Sequence, residues 1–179
     1  MPSPNTSELS ARATGTTHAP VPGAARRLRL PLYARSQQRM AARWGFDLNA
    51  VDARERAETL LVESPADVDR MVLAASVRSS RGDDAGALDA AQTAVRTDAG
   101  SASAHSTLAA LLARSGASAA AAGHAEAAAD IDPEDPSAFY NLGLIRWTLG
   151  DRRAARVAFD RAAGLLGIAT APWWRRRPG

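Results

Sequence analysis

From Ser64 onward, hydrophobic stretches of roughly 13 to 15 residues alternate with short polar punctuation, the pattern left by packed helices joined through tight turns. Ser64, followed by Pro65 where a missing amide hydrogen costs nothing, predicts the start of a helix that runs to about Ser80. Gly82 supplies a left-handed stop, and Asp83 or Asp84 caps a return helix over about 85–97. Ser101 begins the next helix, Gly116 turns it, and Ser118 caps an alanine-rich helix ending near Ile131. Asp135–Pro136 starts another, Gly150–Asp151 turns it, and the last helix reaches about Leu166. Upstream, Pro31 opens a segment in which Met40 and Trp44 lie beside the basic stripe Arg35, Arg39, Arg43, and Gly45 ends it. A further helix fits 49–63, with Leu48, Val51, Leu60, Leu61 and Val62 as its apolar content. Period-two alternation of β-branched residues is absent, so the expected fold is all-α.

The punctuation is periodic. Gly82, Gly116 and Gly150 stand 34 residues apart, and Ala87/Ala121/Ala155 and Ala94/Ala128/Ala162 keep the same interval. Ala75/Ala109/Gly143 form another small-residue column, while Ala74/Leu108/Leu142, Met71/His105/Phe139 and Ala91/Ala125/Phe159 form bulkier or mixed ones. A fixed interval of this length is the signature of an array of helical hairpins. Small columns are expected where two helices cross, because a large Cβ substituent there would separate the axes.

Composition sharpens this picture. Hydrophobic residues make up 46% of the 179-residue chain, yet 42 are alanine, so the core must rely on close backbone approach rather than side-chain area. All 22 basic residues are arginine and no cysteine is present. Without lysine there is no phosphate-loop lysine and no Schiff base; without cysteine there is no thiol nucleophile, disulfide or thiolate zinc site. Charge is segregated: net +6 over 1–46, −6 over 47–169 and +3 over 170–179, so the repeat body is acidic and carries no phosphate-binding footprint. Residues 1–30, rich in Pro, Gly, Ser and Thr, are expected to be a disordered basic tail. The arginine-rich, acid-poor stretch 1–46 has the composition of a transit peptide, but prolines 2, 4, 20 and 22 argue against a helical presequence. No run of about 18 apolar residues occurs, and a soluble, cytoplasmic, bacterial protein is expected.

The arrangement resembles the tetratricopeptide repeat, a 34-residue helix-turn-helix unit. Phe139, Leu142, Gly143, Gly150, Asp151, Ala155, Phe159 and Ala162 stand where the family has its bulky, Leu-Gly, turn, Ala, aromatic and Ala positions. Three copies cover 68–101, 102–135 and 136–169; a degenerate copy lies within 31–67, and 170–179 forms a Trp/Arg tail. The resemblance implies a short right-handed α-solenoid of antiparallel helix pairs that binds a peptide or helix in the concave groove of its first helices. Carried over by phase, that groove would present Asp69, Val72, Leu73 and Ser76; Ser103, Ser106, Thr107, Ala110 and Arg114; and Tyr140, Asn141, Leu144, Trp147 and Thr148. Trp147 and Tyr140 are the expected anchors. Of the family's terminal-carboxylate clamp only Asn141 and Arg114 remain, which argues against chaperone-tail binding. Arg78 and Arg146 occupy a phase where the family has tyrosine, so they must snorkel or the packing must differ. The family commonly ends in an extra solvating helix, whereas Gly167 to Gly179 are not expected to form one, so Leu165, Leu166 and Ile168 are expected to be covered by Trp173 and Trp174 or by another chain.

Other candidate chemistry is thin. The cluster Asp130, Asp132, Glu134, Asp135 lacks the glycine and terminal glutamate of a calcium loop, and helix capping explains Asp135. His18 falls in the expected disordered tail and His105 and His124 at two different repeat phases, and they are read as no ligand set and no acid–base pair. The expectation is a non-catalytic adaptor without metal or cofactor that binds a protein partner, with self-association through the uncapped C-terminal face. The alternative is a tether whose basic ends, among them Trp173–Trp174 and the arginines that follow, engage membrane or nucleic acid.

Overall fold

The structure, a computed structural model, describes residues 42–45 and 50–167. From residue 50 to 167 seven helices follow one another: α1 (Ala53–Glu63), α2 (Val68–Ser80), α3 (Asp84–Thr97), α4 (Ala102–Arg114), α5 (Ser118–Ile131), α6 (Pro136–Thr148) and α7 (Arg152–Leu165). No strand and no helix long and apolar enough to cross a membrane occurs among the described residues. The basic tails, the stripe residues Arg35 and Arg39, and Met40, Leu48, Ile168, Trp173 and Trp174 lie outside them.

Each hairpin turn is closed in the same way. Gly82, Gly116 and Gly150 adopt φ of +84°, +88° and +82°, where a side chain would be strained. That conformation lets the next amide reach back across the helix end, Asp83 N to Arg78 O at 3.0 Å, Ala117 N to Leu112 O at 2.9 Å and Asp151 N to Arg146 O at 3.0 Å. Helix starts are equally regular, since Asp67, Ser101 and Asp135 each accept an amide hydrogen bond in the first turn of α2, α4 and α6.

Three expectations at helix ends are corrected. Ser64 does not cap α2; it closes α1, its amide on Leu60 O, and Pro65 sits in a turn that Asp67 N completes on Ser64 O. Ser118 is the first residue of α5 rather than its cap, because the cap position is held by Ala117, which has no side-chain acceptor. Helix α1 begins at Ala53, not 49, and its buried residues are Ala53 and Ala57; Val51 and Val62 are 94% and 79% exposed.

The hairpins α2/α3, α4/α5 and α6/α7 stack in sequence, and α2 also touches α4 as α4 touches α6, so the first helices form one inner layer. Closer approach among first helices makes that layer the concave side. The crossings are lined by alanine: Ala74, Ala75, Ala87, Ala91, Ala94, Ala109, Ala121, Ala128 and Ala155 have no exposed surface. At Gly143 the spacing is tighter still, since a Cβ there would lie 2.6 Å from the Phe159 ring.

The arginines in the tyrosine phase do find partners. Arg78 forms a fork on Glu58 of α1, Nε to Oε1 at 2.6 Å and Nη2 to Oε2 at 2.5 Å, and a third bond from Nη1 to the Gly86 carbonyl at 3.2 Å. The Glu58 carboxylate holds that guanidinium still more firmly charged. Arg146, 68 residues on, pairs likewise with Glu126. Between them the same two phases carry Gln92 and Leu112, so the ion pair spans alternate repeat junctions.

Candidate functional site

The inner layer is not equally open along its length. Val72 and Leu73 have no exposed surface and Ser76 is buried, its hydroxyl bonded to Val72 O at 2.9 Å. Trp44 and Leu60 pack onto the cluster that holds Leu73, and Leu61 onto the one that holds Val72. The preceding elements thus close the first repeat's share of the groove, and Asp69 is engaged by Arg43 at 2.6 Å. The expected groove positions Val72, Leu73 and Ser76 are core.

Opposite α4 and α6 the surface stays accessible. Ser103, Ser106, Thr107 and Ala110 on α4 and Asn141, Leu144 and Trp147 on α6 are all half-buried. Asn141 donates from Nδ2 to Ser106 Oγ at 3.1 Å, which ties the two helices together across this face. The small side chains of α4 permit close approach of a backbone, while Leu144 and Trp147, packed on one side against the Tyr140–Phe159 core, leave part of their apolar area accessible. The Arg152 guanidinium lies 5.1 Å above the Trp147 ring, holding the indole by a cation–π contact.

Two expected site residues lie elsewhere. Tyr140 is only 3% exposed; its ring sits 5.6 Å from that of Phe159 in the core of the α6/α7 hairpin, so it shapes the groove from behind instead of anchoring a partner. Arg114 is drawn away by an ion pair with Asp84 at the start of α3. At the C-terminal end Leu165 is half-buried, and Leu166 packs onto the cluster of Tyr140, Phe159 and Ala162.

His105 and His124, read from sequence as unrelated, meet. Their Nδ1 atoms are 3.1 Å apart with ring centroids at 5.2 Å, and His105 Nε2 lies 3.1 Å from the Ala99 carbonyl. Burial, and secondarily the neighbouring His105, lower the pKa of His124 below the ordinary imidazole value. Their separation of 19 residues was the available signal, because Tyr140 and Phe159 are also 19 apart and also meet across a hairpin. Column phase alone conceals such a pair, since each member occupies a different phase on opposite helices.

No family model matches this sequence, and no curated protein does either. Solved structures share the fold. YrrB, described as a TPR protein with an unusual peptide-binding site, matches at 22% identity over 65% of this chain and 60% of its own, with a TM-score of 0.56. The Sgt2 TPR domain from Aspergillus fumigatus matches at 25% identity over 58% of this chain and 69% of its own, TM-score 0.54. MamA matches at 22% identity over 81% and 88%, TM-score 0.58. The chain spans only 60% of YrrB's length, and the likeness is one of architecture.

Proposed function

We propose that this chain, a tetratricopeptide-repeat solenoid, is a non-catalytic protein-interaction scaffold that holds a peptide or helical segment of a partner protein against α4 and α6. The observation that carries the reading is the half-buried row of small and hydroxyl side chains on α4, tied to α6 by the Asn141–Ser106 hydrogen bond, with Leu144 and Trp147 half-buried at the matching repeat phase of α6. Small side chains admit an approaching main chain, hydroxyl and amide groups satisfy its polar atoms, and the two apolar residues contribute the desolvated area that dominates such binding. YrrB, a repeat protein of the same fold with a peptide-binding site, is consistent with it.

The test is in-cell crosslinking of the tagged full chain followed by mass spectrometry, with Trp147→Ala and Ala110→Arg as paired controls. A protein recovered with the wild type and lost from both variants supports the scaffold reading. Recovery of the same proteins from all three forms, with circular dichroism showing all three folded, overturns it.

A further inference from the structure

The histidine pair of the α4/α5 hairpin plays no part in the face assigned to the partner. We propose that His105 and His124 form a two-imidazole site for a borderline divalent transition-metal ion such as Zn²⁺, Ni²⁺ or Cu²⁺.

The geometry specifies the tautomers. A carbonyl oxygen only accepts, so His105 Nε2, 3.1 Å from Ala99 O, carries the proton and leaves the Nδ1 lone pair directed at His124. In the metal-free pair His124 Nδ1 must therefore hold the bridging hydrogen at 3.1 Å. A metal ion replaces that hydrogen bond from a position off the line between the two nitrogens, and both imidazoles turn to aim their Nδ1 lone pairs at it. The His124 proton transfers to Nε2, both rings stay neutral, and no net proton is taken up or released. Two nitrogens 3.1 Å apart, each at the usual ligand distance of about 2.0–2.1 Å, subtend about 98° at the metal. That angle lies between the right angle of square-planar or octahedral coordination and the tetrahedral angle, within small side-chain adjustments of each. The Ala99 carbonyl then acts as the outer partner that orients a ligating imidazole.

The surroundings agree with this chemistry. Each ring is mounted on a helix whose other face is packed, so little order remains to be imposed on binding. Both side chains are half-buried, which leaves solvent a path to the remaining coordination positions. Among the described residues no third histidine, cysteine or carboxylate joins them, so water fills those positions. Imidazole nitrogen selects transition metals over Mg²⁺ and Ca²⁺, which require oxygen donors.

Isothermal titration of the untagged full chain, stripped with chelator, tests the proposal with NiCl₂, ZnCl₂ and CuCl₂, and with MgCl₂ as the hard-ion control. One equivalent of the transition metal is expected, with affinity falling at least tenfold in His105→Gln and in His124→Gln, unchanged in His18→Gln, and no binding of Mg²⁺. No binding at millimolar metal, wild-type affinity retained in either hairpin variant, or loss in His18→Gln overturns it. Should a hairpin variant fail to fold, imidazole ¹⁵N spectra of the wild type decide. Zinc-induced shifts at both Nδ1 atoms, with His124 Nε2 moving to the protonated, pyrrole-like position, support the site, whereas shifts at one ring only, or loss of the Nε2 proton in place of Nδ1 coordination, overturn it.

Discussion

The hairpins α4/α5 and α6/α7 share a backbone plan and solve its packing in opposite ways. In α4/α5 the crossing is alanine on alanine, with Ala109, Ala121, Ala122 and Ala125 in one buried cluster, and its larger side chains include a pair of histidines. In α6/α7 one helix gives up its Cβ at Gly143 so that the Phe159 ring can lie over it, and Tyr140 and Ala162 complete an aromatic core. The first hairpin gains proximity and little apolar area; the second gains area by removing an atom. Alanine loses no side-chain entropy on ordering but buries little apolar area, whereas the aromatic side chains lose that entropy and gain the area.

The comparison breaks most visibly at Phe159. Phe159→Ala should cost about 3–5 kcal/mol, read from urea unfolding, because the emptied space faces a glycine that cannot fill it. Adding Gly143→Ala to that variant should recover part of the loss, as cavity filling and helix propensity act together; strictly additive costs would show that the two positions are not coupled. In the wild-type background Gly143→Ala places its methyl within 2.6 Å of the ring and should destabilise.

Next in size is the reverse graft. Ala125→Phe alone should cost about 1–3 kcal/mol by overpacking a site that has no free volume, and Ala109→Gly should relieve it if the glycine–aromatic solution is portable between repeats. The fork between repeats offers a third comparison. Arg78→Ala should cost about 1–2 kcal/mol, since it strips a charge-assisted pair from partly buried Glu58. Arg146→Ala should cost less, because Glu126 is more exposed than Glu58.

The smallest effect is a pH dependence confined to the alanine hairpin. Folding lowers the pKa of His124 beneath the ordinary value of about 6.5, so below that value the unfolded chain binds more protons than the folded one. Its contribution to stability is full above the ordinary value, declines as pH falls through the window down to the folded pKa, and is constant beneath it. With chelator present, His124→Gln should therefore lose less stability than the wild type between about pH 7.5 and pH 5.5. Identical losses would remove His124 from the acid response.

Much of the architecture is a local matter, and the sequence by itself determined it. The turns at Gly82, Gly116 and Gly150, the caps at Asp67-phase residues Ser101 and Asp135, and the alanine crossings follow from backbone conformation and steric size, which a residue carries wherever it sits. Periodicity then extended each local reading to three copies. Where period and local signal conflicted, the local reading misled: Ser64–Pro65 looks like a helix start, but Asp67 keeps the phase of Ser101 and Asp135 and caps α2.

What only the tertiary structure decided was which of two faces each side chain received. Val72 and Leu73 share a phase with groove positions, yet Trp44, Leu60 and Leu61 cover them; Tyr140 points into its own hairpin, and Arg114 turns to Asp84. His105 meets His124, and Glu58 meets Arg78, across distances in sequence that no single helix links. Helix formation is set by neighbours three and four residues away, whereas burial, ion pairing and ligand geometry are set by the crossing of separate helices, whose contacts exist only once the chain has packed.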